Sequence, residues 1–468
     1  MRNANLLRSD RAQVILIYAF MITVLLLFTG LAIDTGVLYV TKAKLSAAVD
    51  GACLAGMKNL SQGQTTAGSI ATNIFNANFG SSPPVPGVTF PTDPAGNQQV
   101  KVTATVNVHT LFMQVLSQFA TVPVSATGIA TRGKLIMTIV LDRSGSMCGG
   151  SVSCPSGVTG DLGGQALQAA VPSFVNNFDQ TPNTGDEVGL VSFSDNATIN
   201  YTINYSFKTP INSDVSSMQF TGGTFGTGAG TGSILDNAKG PPFSLAGLQN
   251  DSVPILSGQN VVKAVVYFTD GLMNTIQDKF HCGGTSNNTL TLLNYGGFDA
   301  TGKNPTTNVD IFDPTSATNI FYTFTPGSSS YFYYDSNSHI CKDSSNNYVT
   351  KFPSQQTGLQ TSFSRSAVTT EAKYRAQQTA ITLRSESPHP NYIYTIGLGS
   401  AIANDASTQM LLKEIANDPG ADTYDKSQAV GQFFLIPDCP STPASICNNE
   451  VMQVFQTIAA KVLLRLTE

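Results

Sequence analysis

Tryptophan is absent from the 468 residues, and histidine occurs only 4 times. Histidine-rich metal chemistry and histidine-dependent acid–base catalysis are therefore poorly supplied. Charge is scarce too: 12% of residues are charged, against roughly 25% in ordinary soluble domains. The 25 basic and 30 acidic residues leave a net charge of −5. That excludes a protein held on nucleic acid by a broad basic surface. Hydrophobic content is 41%, enough for a buried core, so the low charge does not signify wholesale disorder. Gly, Ser, Thr and Asn take the place of charge, a composition more common outside the cytoplasm than within it. The composition also excludes a coiled coil, and because the long apolar runs number only one, a polytopic transporter is excluded as well. At about 150 residues per domain the length allows about three domains.

The single long run is Val14 to Ile33, VILIYAFMITVLLLFTGLAI, 20 residues without a charge, bounded by Asp10 and Arg11 before it and Asp34 after it. Twenty residues at ~1.5 Å each match the ~30 Å hydrocarbon core of a bilayer. The run exceeds the usual apolar segment of a signal peptide, and no small-residue cleavage site follows it closely. It is read as a membrane anchor. Arg2, Arg8 and Arg11 precede it, while Lys42 and Lys44 follow, a bias that puts the N-terminal tail in the cytoplasm.

Beyond the run the pattern stays helical. Ala47, Gly51 and Ala55 recur every four residues, as do Ala48, Ala52 and Gly56, giving a small-residue face that permits close helix packing. It suits an ordinary Ala-rich helix or a packing spine for assembly. Asp50, three residues before Cys53, stands where a lipoprotein signal would carry an aliphatic residue.

This segment resembles the N-terminus of the TadE/TadG-like proteins of the tight-adherence (Flp) pilus system. The matching residues are Arg11-Ala12-Gln13 before the membrane helix and Asp34-Thr35-Gly36 after it. They are followed by Ala47-Ala48-Val49-Asp50-Gly51-Ala52-Cys53-Leu54-Ala55-Gly56. The resemblance covers residues 8–60 and extends to about 133. No prepilin-type cleavage site is visible.

Residues 61–133 open with polar, turn-rich text in which SSPPVPG at 81–87 is the strongest breaker. QVKVTATVNV (99–108) alternates apolar and polar residues, predicting a half-buried strand. TVPVSATGIATR (121–132) alternates less strictly, and LFMQVLSQF between them predicts a short helix. This is a small α+β module with no catalytic constellation; His109 has no partner nearby in sequence and reads as structural.

KLIMTIVLDRSGSM (134–147) carries the most information. Leu135 to Leu141 is a continuous apolar run of strand length, as in a central parallel strand covered on both faces. Asp142, Ser144 and Ser146 then leave its carboxyl end together, at the edge where open α/β sheets place their ligands. All three are hard oxygen donors, suited to Mg²⁺, Mn²⁺ or Ca²⁺. A second apolar strand, NVVKAVVYFTDG (260–271), ends in Asp270-Gly271. A helical stretch (Gly164 to Phe178), the strand EVGLVSFS (187–194) and the loop FTGGTFGTGAG (220–230) lie between. A helix at 366–385, the strand NYIYTIGLG (391–399) and helices at 406–416 and 449–466 follow. Such alternation argues for an open, mostly parallel sheet.

These residues resemble a von Willebrand factor A domain with a metal-ion-dependent adhesion site. Its pattern is D-x-S-x-S after the first strand, a threonine in a Gly-rich loop, and an aspartate in a TDG step. Asp142, Ser144, Ser146 and Asp270 match; Thr224 of Gly222-Gly223-Thr224 fits the threonine best, in a loop one residue longer than usual, and Thr227 is the other candidate. The resemblance covers 134–271 and 364–468. It implies that these oxygens and water leave the metal one ligand short, and that a carboxylate from a partner protein completes the sphere. GTGAGTG (226–232) lacks the register and the G-K-[ST] ending of a nucleotide loop. No G-x-S-x-G surrounds Ser144 or Ser146, so a serine nucleophile is not supported.

Residues 272–363 interrupt the domain, leaving just after Asp270, and either shape partner choice or decorate the surface. Six of the 7 cysteines lie in this domain. The expected pairs are Cys148–Cys154, Cys282–Cys341 and Cys439–Cys447, with Cys53 unpaired, which suits an oxidising compartment. His281-Cys282 with His339 and Cys341 is the zinc alternative, weakened by the lack of any C-x-x-C.

The resulting expectation is α/β. Residues 1–60 carry the tail, the membrane helix (about 14–33) and the Ala-rich helix, and 61–133 a small stalk module. A doubly wound A-type domain with the long insertion occupies 134–468. The expected function is metal-dependent protein binding in pilus assembly or surface adhesion, on a single-pass protein of the cytoplasmic membrane with its main domain outside the cytoplasm. It is expected to be no enzyme. The alternative is a structural envelope component whose adhesion site binds no partner.

Overall fold

The apolar run and the Ala-rich stretch form one uninterrupted helix, α1 (Leu6–Lys58), about 80 Å long at 1.5 Å per residue. In the computed structural model the described residues are 6–466 apart from 116, 149–162, 183, 194–196, 219, 221–242, 272, 274, 283–284, 294–308, 313–332, 335–350, 363–364 and 438–443. From Val14 to Ile33 the large apolar side chains of α1 are exposed, Val24 excepted. Thr23, Thr29, Thr35 and Thr41 each donate a hydroxyl hydrogen bond to the carbonyl four residues back. The two threonines of the run, Thr23 and Thr29, are thus satisfied within the helix.

The chain divides into two compact units, Met1–Arg132 and Gly133–Glu468. In the first, α1 is followed by α2 (Gln64–Phe79), which the polar text of 61–80 did not lead one to expect. Its buried residues, Ala67, Ala71, Phe75 and Phe79, are regularly spaced along one face. Three antiparallel strands follow, β1 (Gly87–Thr89), β2 (Gln98–His109) and β3 (Thr121–Arg132), in the order β1-β2-β3. β2 and β3 pair without a slip from Gln98↔Arg132 to His109↔Thr121. The predicted short helix between them is two separate 3₁₀ turns, Met113–Val115 and Ser117–Phe119.

Val100, Val102 and Ala104 of β2 and Val124, Ala126 and Ala130 of β3 form one core with α1 and α2. The small residues of α1 serve that core. Ala48 and Ala52 are fully buried, and a methyl group on Gly56 would stand 3.1 Å from Val100 Cγ1 and 3.2 Å from Ala71 Cβ. The helix can therefore lie against both the sheet and α2.

The second unit is built on β4 (Lys134–Asp142), every residue of which is buried. After it come α3 (Gly163–Val175), β5 (Glu187–Phe193), β6 (Ala197–Asn204), α4 (Lys208–Ser216), α5 (Phe243–Ser252) and β7 (Val261–Thr269). Within the insertion, β8 (Thr275–Cys282), β9 (Thr285–Leu293), β10 (Val309–Phe312) and β11 (Tyr333–Tyr334) form an antiparallel sheet. β12 (Lys351–Pro353) pairs with β13 (Gln360–Ser362). Then follow α6 (Arg365–Arg384), β14 (Asn391–Leu398), α7 (Ser400–Ala403), α8 (Ala406–Ala416), β15 (Gln432–Ile436) and α9 (Ala444–Arg465).

The main sheet runs β15-β14-β7-β4-β5-β6, parallel throughout except for the β5–β6 pair. Both faces are covered, as the continuous apolar strands predict. On one, Leu135, Met137, Ile139 and Leu141 of β4 meet α3, α4 and α9. On the other, Val140 of β4 and Tyr267 of β7 join α5, α6 and α8. Met273 and Ile276 are buried in this second cluster, so the insertion begins inside the core of the unit and not as a surface appendage.

Candidate metal centre

β4 is the point at which the strand order reverses. The chain moves from β4 to β5 on one side and reaches β7 and then β14 on the other. A crevice at the carboxyl ends of such strands is where open α/β sheets bind ligands. β4 and β7 run parallel in register, Leu141 beside Phe268, so Asp142 ends one strand next to Thr269 ending the other.

Asp142 is fully buried. One carboxylate oxygen accepts the Ser144 backbone N–H at 2.9 Å, and the other accepts the Thr269 hydroxyl at 2.7 Å. The Arg143 N–H continues the sheet by donating to the Phe193 carbonyl at 2.9 Å. The chain then makes one 3₁₀ turn, Gly145–Cys148, and the buried Met147 side chain pins that turn to the core. The turn brings Ser144 and Ser146 side by side, their Oγ atoms 3.0 Å apart. Asp270, one residue past β7, reaches over from the neighbouring strand. Its Oδ1 accepts the Ser146 hydroxyl at 2.9 Å and the Ser144 hydroxyl at 3.4 Å.

Four of the five residues singled out from the sequence therefore meet at one sheet edge. Asp142 and Ser144 are buried, Asp270 is half-buried and Ser146 is exposed, so the group opens outward. Beneath it lies Tyr267, fully buried and stacked on Phe193 with ring centroids 5.4 Å apart. Burial pushes its phenol well above the ordinary range, and the Asp142 and Asp270 carboxylates push it the same way.

The donors gathered here are carboxylate and hydroxyl oxygens, hard ligands that fit Mg²⁺, Mn²⁺ or Ca²⁺. The hydrogen bonds among Ser144, Ser146 and Asp270 put their oxygens close enough together for one cation to touch all three. Thr269 is the residue that sequence reasoning passed over. Its hydroxyl holds Asp142, and only the pairing of two strands more than a hundred residues apart reveals it.

Thr224 and Thr227 lie outside the described residues, as do Cys154, Cys341 and Cys439. Cys148 ends the 3₁₀ turn and Cys282 ends β8, their side chains outside the described set. The zinc alternative at His281, Cys282, His339 and Cys341 falls there too. Cys447 is buried on α9 and disulfide-bonded, and Cys53 is free and buried.

Residues 137–281, which hold Asp142, Ser144, Ser146, Thr269 and Asp270, match the model of the von Willebrand factor type A domain. The chain carries a von Willebrand factor type A domain. Residues 13–59 match the model described as putative Flp pilus-assembly TadE/G-like, so the A domain shares its chain with a TadE/G-like region. No curated protein matches the chain. Among solved structures, the PilB minor pilin from Streptococcus sanguinis is similar at 13% identity, over 81% of this chain and 79% of that one, with a TM-score of 0.38. The vWF domain of the type V pili tip protein Mfa5 from Porphyromonas gingivalis is similar at 14% identity, over 71% of this chain and 97% of that one, with a TM-score of 0.35. Proximal thread matrix protein 1 from the mussel byssus, with a zinc-occupied MIDAS motif, is similar at 14% identity over 69% and 46%, with a TM-score of 0.29.

Proposed function

We propose that this chain is a membrane-anchored component of tight-adherence pilus assembly or of the cell envelope, and that its A domain holds a partner protein through a divalent cation. The observation that carries the reading is the convergence of Ser144, Ser146 and Asp270 beside Asp142, at the reversal point of a parallel sheet. Asp142, Ser144, Ser146 and Asp270, with Thr224 or Thr227 from the Gly-rich loop, would hold Mg²⁺, Mn²⁺ or Ca²⁺. When bound, the ion supplies a positive centre for a carboxylate of the partner. The chain's own residues hold the ligand oxygens in place: Thr269 and the Ser144 amide fix Asp142, and Met147 fixes the turn. Among the described residues no base or oxyanion arrangement accompanies the two serines, and the reading is one of binding without catalysis.

The exposed apolar run of α1 supports a single membrane span, and Arg2, Arg8 and Arg11 before it support a cytoplasmic tail with the A domain outside the cytoplasm. Disulfides Cys148–Cys154, Cys282–Cys341 and Cys439–Cys447 belong to the same reading, since an exported domain folds where thiols oxidise.

Calorimetric titration of the full chain with Mg²⁺ and Mn²⁺ tests the metal, and capture from envelope extract in Mg²⁺, in EDTA and with Asp142→Ala tests the partner. The reading expects metal binding and capture by the wild type, and loss of both in the variant. Metal binding that survives Asp142→Ala would overturn the site. A partner that survives both EDTA and the substitution would move the function elsewhere on the chain.

A further inference from the structure

The connection between β2 and β3 leaves the sheet at Thr110 and is fastened to α1 through Asp34. The Asp34 carboxylate accepts three consecutive backbone N–H groups, Leu111 at 2.8 Å, Phe112 at 2.9 Å and Met113 at 2.6 Å. One turn earlier on the helix, Gly30 is the seat of the Phe112 ring, since a methyl group there would lie 2.6 Å from Phe112 Cγ. The connection is also closed on itself. The Thr110 N–H donates to the Ala120 carbonyl at 3.2 Å and its hydroxyl to the Phe119 carbonyl at 2.7 Å.

With its backbone occupied in this way, the connection presents apolar side chains outward. Leu111 is 62% exposed, Phe112 49%, Val115 83% and Phe119 39%. No charged residue occurs anywhere between Thr110 and Ala120. Such a patch on a small module marks a contact surface, and its position on the helix says which one.

Asp34 is the only charge between Arg11 and Lys42. Apolar exposure on α1 does not stop at Asp34: Val37, Tyr39 and Val40 are exposed as well, and the first lysine follows at 42. A helix that crosses a bilayer meets the headgroup boundary between its last lipid-facing apolar residues and its first lysines, with tyrosine at that level. The boundary therefore falls between Asp34 and Lys42, a rise of about 12 Å. The connection is tied to Gly30 and Asp34, at or below that level.

We propose that Leu111, Phe112, Val115 and Phe119 enter the leaflet beside the span and give the first unit a second, peripheral hold on the membrane. The occupant is phospholipid at the boundary of headgroup and acyl chain, where short apolar segments bury. This also accounts for Asp34. A carboxylate at that depth is costly unless its lone pairs are filled; three N–H groups fill them, and the residue is only 2% exposed. Two attachments instead of one fix the rotation and tilt of α1 beneath the module. The inference rests on reading α1 as a membrane span.

The absence of tryptophan from the chain makes the test direct. Val115→Trp and, separately, Leu111→Trp are introduced into the full-length chain and reconstituted in phosphatidylcholine vesicles with or without brominated acyl chains, which quench indole on contact. Leu25→Trp reports the span itself. Ile129→Trp, on an exposed position of β3 paired with Lys101, reports water. The expected result is strong quenching at 25, 111 and 115 and none at 129. Quenching at 25 with water-like emission at 111 and 115 would overturn this inference and leave the span intact. Absence of quenching at all four positions would overturn the span reading instead. Blue-shifted but unquenched emission at 111 and 115, with quenching at 25, would also overturn the inference, by assigning the patch to a protein contact such as a second copy of the chain.

Discussion

Asp142 is where local and long-range constraints meet. Its link to Ser144 is made within two residues, and its link to Thr269 spans the sheet. A buried carboxylate that a hydroxyl helps to orient has its readiness for metal tuned by that hydroxyl, because the residues that orient metal ligands tune affinity nearly as strongly as the ligands do. Thr269→Val keeps the β-branched shape of a 1% exposed strand end while removing the donor. The expected outcome is Mn²⁺ affinity reduced by about 10- to 100-fold, together with a loss of about 1.5–3 kcal/mol in stability from the lost hydrogen bond to a charged group. Titration calorimetry and urea unfolding read the two effects. Unchanged affinity would mean that Asp142 is not oriented by Thr269 for any metal. At this scale the D-x-S-x-S spacing was legible because a strand end and one turn are enough to gather its oxygens. Thr269 was not, because nothing near it in sequence says which strand lies beside it.

Among the elements, α1 shows how pattern and packing divide the information. The uncharged run and the small-residue rows both read as helix, and they are one helix. What periodicity left open was the use of the small residues, and the core of the first unit answers it: Ala48 and Ala52 are buried in that core, and Gly56 lies against Val100 of β2 and Ala71 of α2. The reciprocal small residue on the sheet is Gly128 of β3, where a methyl group would lie 2.8 Å from Val49 Cγ1 and 2.8 Å from Asp50 Oδ1. Gly128→Val is expected to push the helix off the sheet and cost about 1–3 kcal/mol. Gly36→Ala, with nothing within 4 Å of the added methyl, is expected to stabilise α1 by about 0.5–1 kcal/mol through helix propensity. Hydrogen exchange of the β2 and β3 amides separates them: faster for the first, unchanged or slower for the second. Similar exchange in both would mean that α1 does not rely on close approach at Gly128. α2 escaped the sequence reading for a related reason. Its buried face is two alanines and two phenylalanines, and with Gln, Thr, Ser and Asn filling most of the other positions it does not stand out from a loop without the partner surfaces that select it.

For the molecule as a whole, each unit closes its own core, the A domain around two faces of one sheet. The doubly wound class was legible from strands and helices in alternation. The insertion was legible only as an interruption, because the burial of Met273 and Ile276 against α6 depends on a helix nearly a hundred residues further on. The described candidate ligands all belong to the unit Gly133–Glu468. A cation that binds them stabilises that unit and has no such hold on Met1–Arg132. Binding to the folded state alone adds about 2.7 kcal/mol at a hundred times the dissociation constant, and for a unit of this size each kcal/mol moves Tm by about 2 °C. Scanning calorimetry of the full chain is therefore expected to show the A-domain transition rising by about 5 °C in saturating Mg²⁺ or Mn²⁺ and falling back in EDTA. The transition of the first unit stays in place. Asp142→Ala is expected to abolish the rise whatever its own stability, because the comparison is made within the variant, with and without metal. A rise that persists in the variant would place the cation somewhere other than the edge of β4 and β7.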